Sequence, residues 1–313
     1  MSTMATDQRT DTNTPGSTSS IPNLEPLGVW FALDGMKGAE TVDFVRKLEA
    51  WGYSVLWMPE AVGRDPFALI GYLGAKTETL AFATGIANIY ARDAMTMRAN
   101  HKTLSELLPG RFILGLGASH HHLVSKVRGH VYEKPVPAMT AYLEKMKGSL
   151  YMATGAEVDA PIVLAGLRKY MLRLAGEATA GAHPYLVPPE HTKHAREILG
   201  KGPLLCVEQK VIAETDPEKA RALGRKVLAV YVRLPNYQNN LRDYGFVDAD
   251  FADGGSDKLV DALVAWGDLS AIKARIQAHR DAGADHVCIQ PFNPAGGSAP
   301  DMALLEALAP AKQ

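Results

Sequence analysis

Residues 83–120 read ATGIANIYARDAMTMRANHKTLSELLPGRFILGLGASH, and the alternation inside this stretch decides the architecture. It opens on the end of a β-rich run, TLAFATG (79–85), crosses a helical segment, DAMTMRANHKTLSELL (93–108), and closes on a second β-rich run, RFILGLG (111–117). Strand, helix and strand in that order make a βαβ unit, in which the two strands lie parallel.

The same rhythm continues outward in both directions. Short β-branched or aromatic runs occur at LGVWFAL (27–33), YSVLWM (53–58), TLAFATG, RFILGLG, APIVLAG (160–166), AHPYLV (182–187), LLCVEQKVIAE (204–214) and DHVCIQ (285–290), eight in all. Helical patterns fill the gaps. In AETVDFVRKLEAWG (39–52), Val42, Val45, Leu48 and Trp51 fall along one helical face, and Gly52 is placed to end the helix. Asp216 followed by Pro217 reads as an N-cap and first helical position, opening a helix expected to run to residue 234. Eight such pairs predict an α/β fold, a (β/α)8 TIM barrel with insertions at its C-terminal rim, because about 250 residues is usual for that architecture. A doubly wound open sheet is the alternative. Residues 23–313 are expected to form one barrel domain. The stretch 233–266 is too long for a simple connection and reads as a substrate-facing rim insertion, or else as a packing helix pair.

The 313 residues carry 33 basic and 34 acidic side chains, a net charge of −1, so no field of one sign is present to attract nucleic acid or an anionic membrane. A small-molecule substrate is the expected partner. No apolar stretch approaches the roughly 18 residues needed to span a bilayer. Residues 1–22 are rich in Ser, Thr, Asp and Pro and lack the apolar core of a signal peptide, so they are expected to be a disordered tail. Cys206 and Cys288 sit in apolar runs without CxxC spacing, which suits buried structural thiols and a reducing, cytoplasmic setting.

Polar residues gather at the ends of the β-rich runs. Gly115 to His120, GLGASH, imitates a GxGxxG loop but carries His120 where the third glycine belongs. In a barrel this turn lies at the mouth, where small residues let a flat ring approach the backbone. His120, His121 and His122 are consecutive, so their side chains point apart and no metal site is expected. A role in the pocket as hydrogen-bond donor or proton carrier suits at least one of them. Glu60 follows VLWMP and Asn88 follows FATGIA, both facing the mouth; capping the next helix or pairing with Arg64 is the plainer role for Glu60. Gly166 and Leu167 form a strand-to-helix turn followed by Arg168 and Lys169, the makings of a phosphate site or of ordinary surface charge. No lysine reads as standing at a strand end for the Schiff-base chemistry of a barrel aldolase.

The order of these pieces resembles the luciferase-like monooxygenase family, particularly its actinobacterial members that use the deazaflavin coenzyme F420. Residues 83–120 carry the likeness most strongly. GVWFALDG and VLWMPEA before them, APIVLAGLRKYMLRLAGEATAGAHPYLVPPEH after them, then YVRLPNYQNNLRDYGF and AGADHVCIQPF extend it over most of 27–310. The resemblance implies a coenzyme across the barrel mouth and a non-prolyl cis peptide at Gly85–Ile86, with Ala87 and Asn88 following. It further implies that Glu60 and Asn88 stand near the reacting edge of the ring, that Gly117, Ala118 and Ser119 lie along it, and that Gly166, Leu167 and Arg168 meet the phosphate. Coenzyme F420 is the implied cofactor, with FMN in an oxygen-inserting monooxygenase as the alternative and a non-catalytic flavin or deazaflavin carrier as the lesser one. A homodimer is the family habit. In the sugar-phosphate dehydrogenase branch a histidine follows the acid at the second strand, whereas Ala61 follows Glu60 here, so that substrate is not expected. The acid or base is then expected to be His120 or His121.

Overall fold

The computed structural model describes residues 22–25 and 27–312. The expected tail, 1–22, lies outside these apart from Pro22. Ten strands follow in chain order: β1 (Gly28–Trp30), β2 (Val55–Met58), β3 (Ala81–Thr84), β4 (Ala87–Asn88), β5 (Phe112–Gly117), β6 (Ile162–Leu164), β7 (Gly181–Ala182), β8 (Leu204–Ile212), β9 (Val264–Trp266) and β10 (His286–Phe292). All pairings are parallel, and β10 joins both β1 (Gly28 opposite Cys288) and β8 (Cys206 opposite His286). That double pairing closes β1, β2, β3, β5, β6, β7, β8 and β10 into an eight-stranded barrel and excludes the open sheet. The structure is thus the expected (β/α)8 TIM barrel.

Helices α1 (Gly38–Ala50), α2 (Pro66–Gly74), α3 (Ala94–Leu107), α4 (Pro135–Gly148), α5 (Lys169–Ala178), α6 (Pro189–Leu199) and α7 (Pro217–Leu228) succeed the strands. Then come α8 (Pro235–Arg242), α9 (Asp257–Leu263), α10 (Leu269–Asp281) and α11 (Met302–Ala307). The period of two along each strand sorts side chains into separate cores. Val29, Leu56, Phe82, Leu114, Val207 and Ile289 point outward into the layer between sheet and helices. Trp30, Val55, Trp57, Ala83, Ile113, Cys206 and Cys288 point inward and fill the barrel. Both cysteines are free and buried, and burial pushes their thiols up, so they stay protonated. Leu24 packs into the same interior cluster at the N-terminal end of the strands, where His286 Nδ1 meets its carbonyl at 2.6 Å.

Two sequence expectations shift. The strand expected over AHPYLV starts one residue early and ends at Ala182, because beyond it His183 and Tyr185 line the mouth and Leu186 joins the core of the rim. The helix expected over 216–234 stops at Leu228; Tyr231 and Val232 turn inward, and Pro235 starts α8. Residues 233–266 hold α8, α9 and β9, with β9 adding to the far end of β8 (Lys210 opposite Val264). Tyr237, Leu241, Phe246, Phe251, Leu259 and Leu263 give this region a core of its own.

Asp216 does cap α7, accepting from the N–H groups of Glu218 (3.0 Å) and Lys219 (3.4 Å). Asp216→Ala should cost about 1 kcal/mol in urea unfolding; an unchanged midpoint would show that Pro217 alone sets the helix start.

Candidate active site

A cavity of about 1200 Å³ opens at the C-terminal ends of the strands. It exceeds the roughly 300–1,000 Å³ of a drug-sized site, which leaves room for a tricyclic coenzyme and a second molecule. Its wall combines Trp30 from β1, Glu60 after β2, Gly85 and Ile86 after β3, and Ala118, Ser119 and His120 after β5. Gly166, Leu167 and Arg168 after β6, His183 and Tyr185 after β7, and α8 complete it.

The Gly85–Ile86 peptide is cis. Trp30 Nε1 donates to the Gly85 carbonyl (3.0 Å), Gly85 N–H donates to Met58 (2.7 Å), and Glu60 N–H donates to the Ile86 carbonyl (3.2 Å). The neighbouring strand must pass close behind this bulge. A Cβ on Gly115 would lie 2.0 Å from the Thr84 carbonyl oxygen, and one on Gly117 would lie 2.5 Å from the Ile86 side chain. Gly117 therefore makes room for Ile86, outside the cavity lining, where the sequence reading had it lying along the ring. Ala87 likewise faces the helix layer.

Glu60 and Asn88 come together by backbone and carboxylate. The Asn88 N–H donates to Glu60 Oε2 (2.7 Å), and Arg92 grips both carboxylate oxygens, through Nη1 at 2.9 Å and through Nη2, which also reaches Asp65 at 3.0 Å. The partner is thus Arg92, while Arg64 is spent on the carbonyls of Leu33 and Met36. Asn88 is buried, accepts from Tyr90 N–H (2.9 Å), and keeps an unpartnered Nδ2. Arg92→Met leaves a nearly buried carboxylate without its cation and should cost about 2 kcal/mol or more in thermal or urea unfolding; a cost below about 0.5 kcal/mol would mean that Glu60 relaxes into solvent.

The three histidines part company. His120 lines the cavity, packs its ring 5.6 Å from Tyr237 and hydrogen-bonds Asn236; burial lowers its pKa despite that bond, so it is neutral at pH 7. His121 and His122 are exposed. The π-helical turn at His122–Val127 carries them outward, and His121 touches the site only through Tyr132, edge-on at 5.8 Å. The expectation that His121 serves as acid or base does not fit this placement. Among the described residues no group of three or more His, Cys, Asp or Glu is disposed to hold a metal.

At the far end, α5 begins at Lys169 on the cavity wall, bringing first-turn N–H groups and the positive end of the helix dipole. The preceding turn is held by His191, whose Nε2 lies 2.6 Å from the Leu167 carbonyl. Arg168 and Lys169 are the only Arg or Lys side chains lining the cavity among the described residues.

Sequence reading passed over the polar cluster at the floor. Cys206, Glu208 and Lys210 alternate along β8 and so share the inward face; Lys210 Nζ lies 3.1 and 3.2 Å from the Glu208 oxygens, both side chains almost wholly buried. Tyr185 and Tyr231 cover this pair, with Lys210 Nζ 3.8 Å from the Tyr185 ring centroid. Leu186, at φ 59°, turns its N–H onto Glu208 (3.2 Å). The period-two pattern in CVEQKV was the available signal, since it puts two opposite charges on the face of a buried cysteine.

Residues 11–286 match the family model for luciferase-like monooxygenases. The chain belongs to that family. Among its relatives is a Mycobacterium tuberculosis protein that carries the name coenzyme F420-dependent oxidoreductase Rv3520c, 28% identical over 169 residues, 54% of this chain and 46% of the relative. The aligned part thus spans about half of that luciferase-like relative. Two solved structures share the fold. The coenzyme F420 dependent tetrahydromethanopterin reductase of Methanopyrus kandleri superposes with a TM-score of 0.72 at 18% identity, covering 91% of this chain and 97% of that one. The FMN-bound oxygenating constituent of 3,6-diketocamphane monooxygenase from Pseudomonas putida gives 0.62 at 15% identity, covering 91% and 98%. Luciferase-like relatives are thus oxidoreductases and monooxygenases, and their cofactor is a deazaflavin or a flavin. No helix among the described residues is long and apolar enough to cross a membrane.

Proposed function

We propose that this luciferase-like protein is a coenzyme F420-dependent oxidoreductase that moves a hydride between the deazaflavin and a small organic substrate. The observation that carries the reading is the two-ended cavity. One end offers apolar contact, from Trp30, Ile86 and Ala118, for a flat ring; the other offers Arg168, Lys169 and a helix N-terminus for an anionic tail. Glu60, gripped by Arg92, accepts from the Asn88 N–H and so holds the turn that follows the cis peptide. A bound deazaflavin supplies hydride chemistry with little reactivity toward oxygen. The chain's part is to orient that ring, exclude water and hold the acceptor; neutral His120, tied to Asn236, is a hydrogen-bonding wall for it.

Fluorescence titration of the coenzyme-free protein with F420 and FMN, side by side, tests this. Tight binding of F420 alone is expected. Tight binding of FMN alone would replace the proposal with an oxygen-inserting monooxygenase, and binding of neither would remove the coenzyme site. Replacing Arg168 and Lys169 together by alanine should weaken F420 binding about tenfold at low salt and flatten its salt dependence, as expected of screened ionic contacts. An unaltered salt slope would place the tail elsewhere.

A further inference from the structure

Above the buried ion pair, the chain formed by the Tyr231 hydroxyl, the Tyr185 hydroxyl and Gln290 Oε1 has one more oxygen atom than it has protons to share. Tyr185 and Tyr231 share a hydrogen bond of 2.8 Å, and the Tyr185 hydroxyl also lies 3.0 Å from Gln290 Oε1. Gln290 Oε1 can only accept, and each hydroxyl carries one proton. With nothing else bound, Tyr185 donates to Gln290, and Tyr231 donates to Tyr185. A carbonyl oxygen arriving at Tyr231 reverses the chain: Tyr231 donates to the newcomer and Tyr185 turns from Gln290 to donate to Tyr231. Both hydroxyls need only rotate.

The surroundings favour this second arrangement. Both tyrosines line the cavity. Trp30, whose indole N–H fixes the Gly85 carbonyl, packs 5.1 Å from Tyr185, so the hydroxyl pair is tied to the bulge on which the flat ring is proposed to rest. Behind the pair, the Lys210 ammonium lies 3.8 Å from the Tyr185 ring centroid and 5.1 Å from that of Tyr231, and it faces phenols that burial and the Glu208 carboxylate keep protonated, ready to donate. Glu208 and the barrel interior hold that ammonium in place. The charges at this end are already paired, Glu60 with Arg92 and Lys210 with Glu208, and the wall beside the tyrosines bears hydroxyls, indole and the uncharged imidazole of His183, while Arg168 and Lys169 stand at the other turn. A carboxylate or phosphate would find no free cation here, whereas a neutral carbonyl finds a donor.

We propose that Tyr231 is a catalytic proton donor, with Tyr185, Lys210 and Glu208 as its positioning residues, and that the substrate presents a neutral ketone or aldehyde carbonyl to it. This rests on the hydride-transfer reading above. The carbonyl carbon gains a C–H bond with the hydride of the reduced deazaflavin, which is oxidised by two electrons. The π pair of the C=O bond moves to oxygen, which takes the Tyr231 proton to give an alcohol. Tyr231 takes the Tyr185 proton, and the Tyr185 phenolate left over Lys210 regains a proton from water when the product leaves. Alcohol oxidation runs the same steps backward.

The test uses the full chain loaded with F420, anaerobically, with butanone, cyclohexanone and benzaldehyde as acceptors. Tyr231→Phe should keep its F420 dissociation constant within about twofold and lose about 100-fold or more in kcat, the usual scale of general acid catalysis. Tyr185→Phe should lose less, and His120→Gln should chiefly raise KM. A readout independent of turnover is the infrared stretch of carbonyl-labelled ¹³C cyclohexanone bound to the enzyme with oxidised F420. It should lie lower in the wild type than in Tyr231→Phe, because the hydrogen bond weakens the C=O bond. An identical stretch in both, an undiminished kcat in Tyr231→Phe, a loss in His120→Gln alone, or reduction of none of the three acceptors by F420-bound enzyme would each overturn the proposal. Failure to bind F420 at all would instead overturn the coenzyme reading beneath it.

Discussion

Lowering the pH from 7 to 5 should remove about 8 kcal/mol of folding stability, enough to unfold the luciferase-like barrel near the lower value, because typical domains hold only about 5–15 kcal/mol. Four fully buried histidines drive this. Burial pushes His183, His191 and His286 down to about 4 and His279 to about 3, against an ordinary value of 6.5. Their neutral forms are built in: His286 Nε2 accepts from Trp57 Nε1 at 3.1 Å, and His279 sits between Thr192 (2.8 Å) and Gln209 (2.9 Å). A depressed folded pKa means that the unfolded chain binds the proton first. Above 6.5 neither state is protonated and stability is unaffected; between 6.5 and about 4 the unfolded state gains protons and stability falls; below both values the loss levels off. At pH 5 each histidine accounts for about 2 kcal/mol of the loss, taking about 1.4 kcal/mol per pKa unit. Melting temperatures measured from pH 7.5 to 4.5 should fall steeply below 6.5. A flat profile down to pH 5 would show that these rings accept protons in place.

Lys210→Met should destabilise the protein by about 3–5 kcal/mol, and adding Glu208→Gln should restore most of that. The two charges are almost fully buried, and each is pulled by burial toward its neutral form and by the other toward its charged form. Removing the ammonium alone leaves a carboxylate with only the Leu186 N–H to hold it. The double variant replaces two desolvated charges by groups of similar volume, which costs little once no charge is stranded. Urea unfolding of the wild type, both single variants and the double variant yields the coupling directly. Equal stabilities for the single Lys210→Met and the double variant would mean that the pair already shares a proton and is not an ion pair.

The barrel was legible because every unit repeats one physical pattern. Inward and outward residues alternate along each run, and helices such as α1 carry a single apolar face. Asp216 and Pro217 marked a helix start by local chemistry alone. What escaped reading depends on approach in space. The link from Glu60 to Arg92 spans 32 residues, and nothing local distinguishes it from the nearer Arg64. Three adjacent histidines looked equivalent until the π-helical turn set His120 against Tyr237 and carried the other two into solvent. In sequence Gly117 suits ligand approach, whereas in the barrel the space it leaves is filled by Ile86. Lys210 was hidden inside a strand, since a lysine beside valines suggests the solvent face until its partner Glu208 is counted on the same side.

Leu24 and its clasp on His286 have a bearing on traffic. With that leucine seated among the interior side chains, the barrel is a flask with a stopper rather than a pipe. Among the described residues the cavity opens at the other end, so substrate and product share that neck, and each turnover empties the vessel by the route through which it was filled. Occupancy of that neck would set the order of events: while an alcohol remains above Tyr231, no water reaches the phenol beneath it.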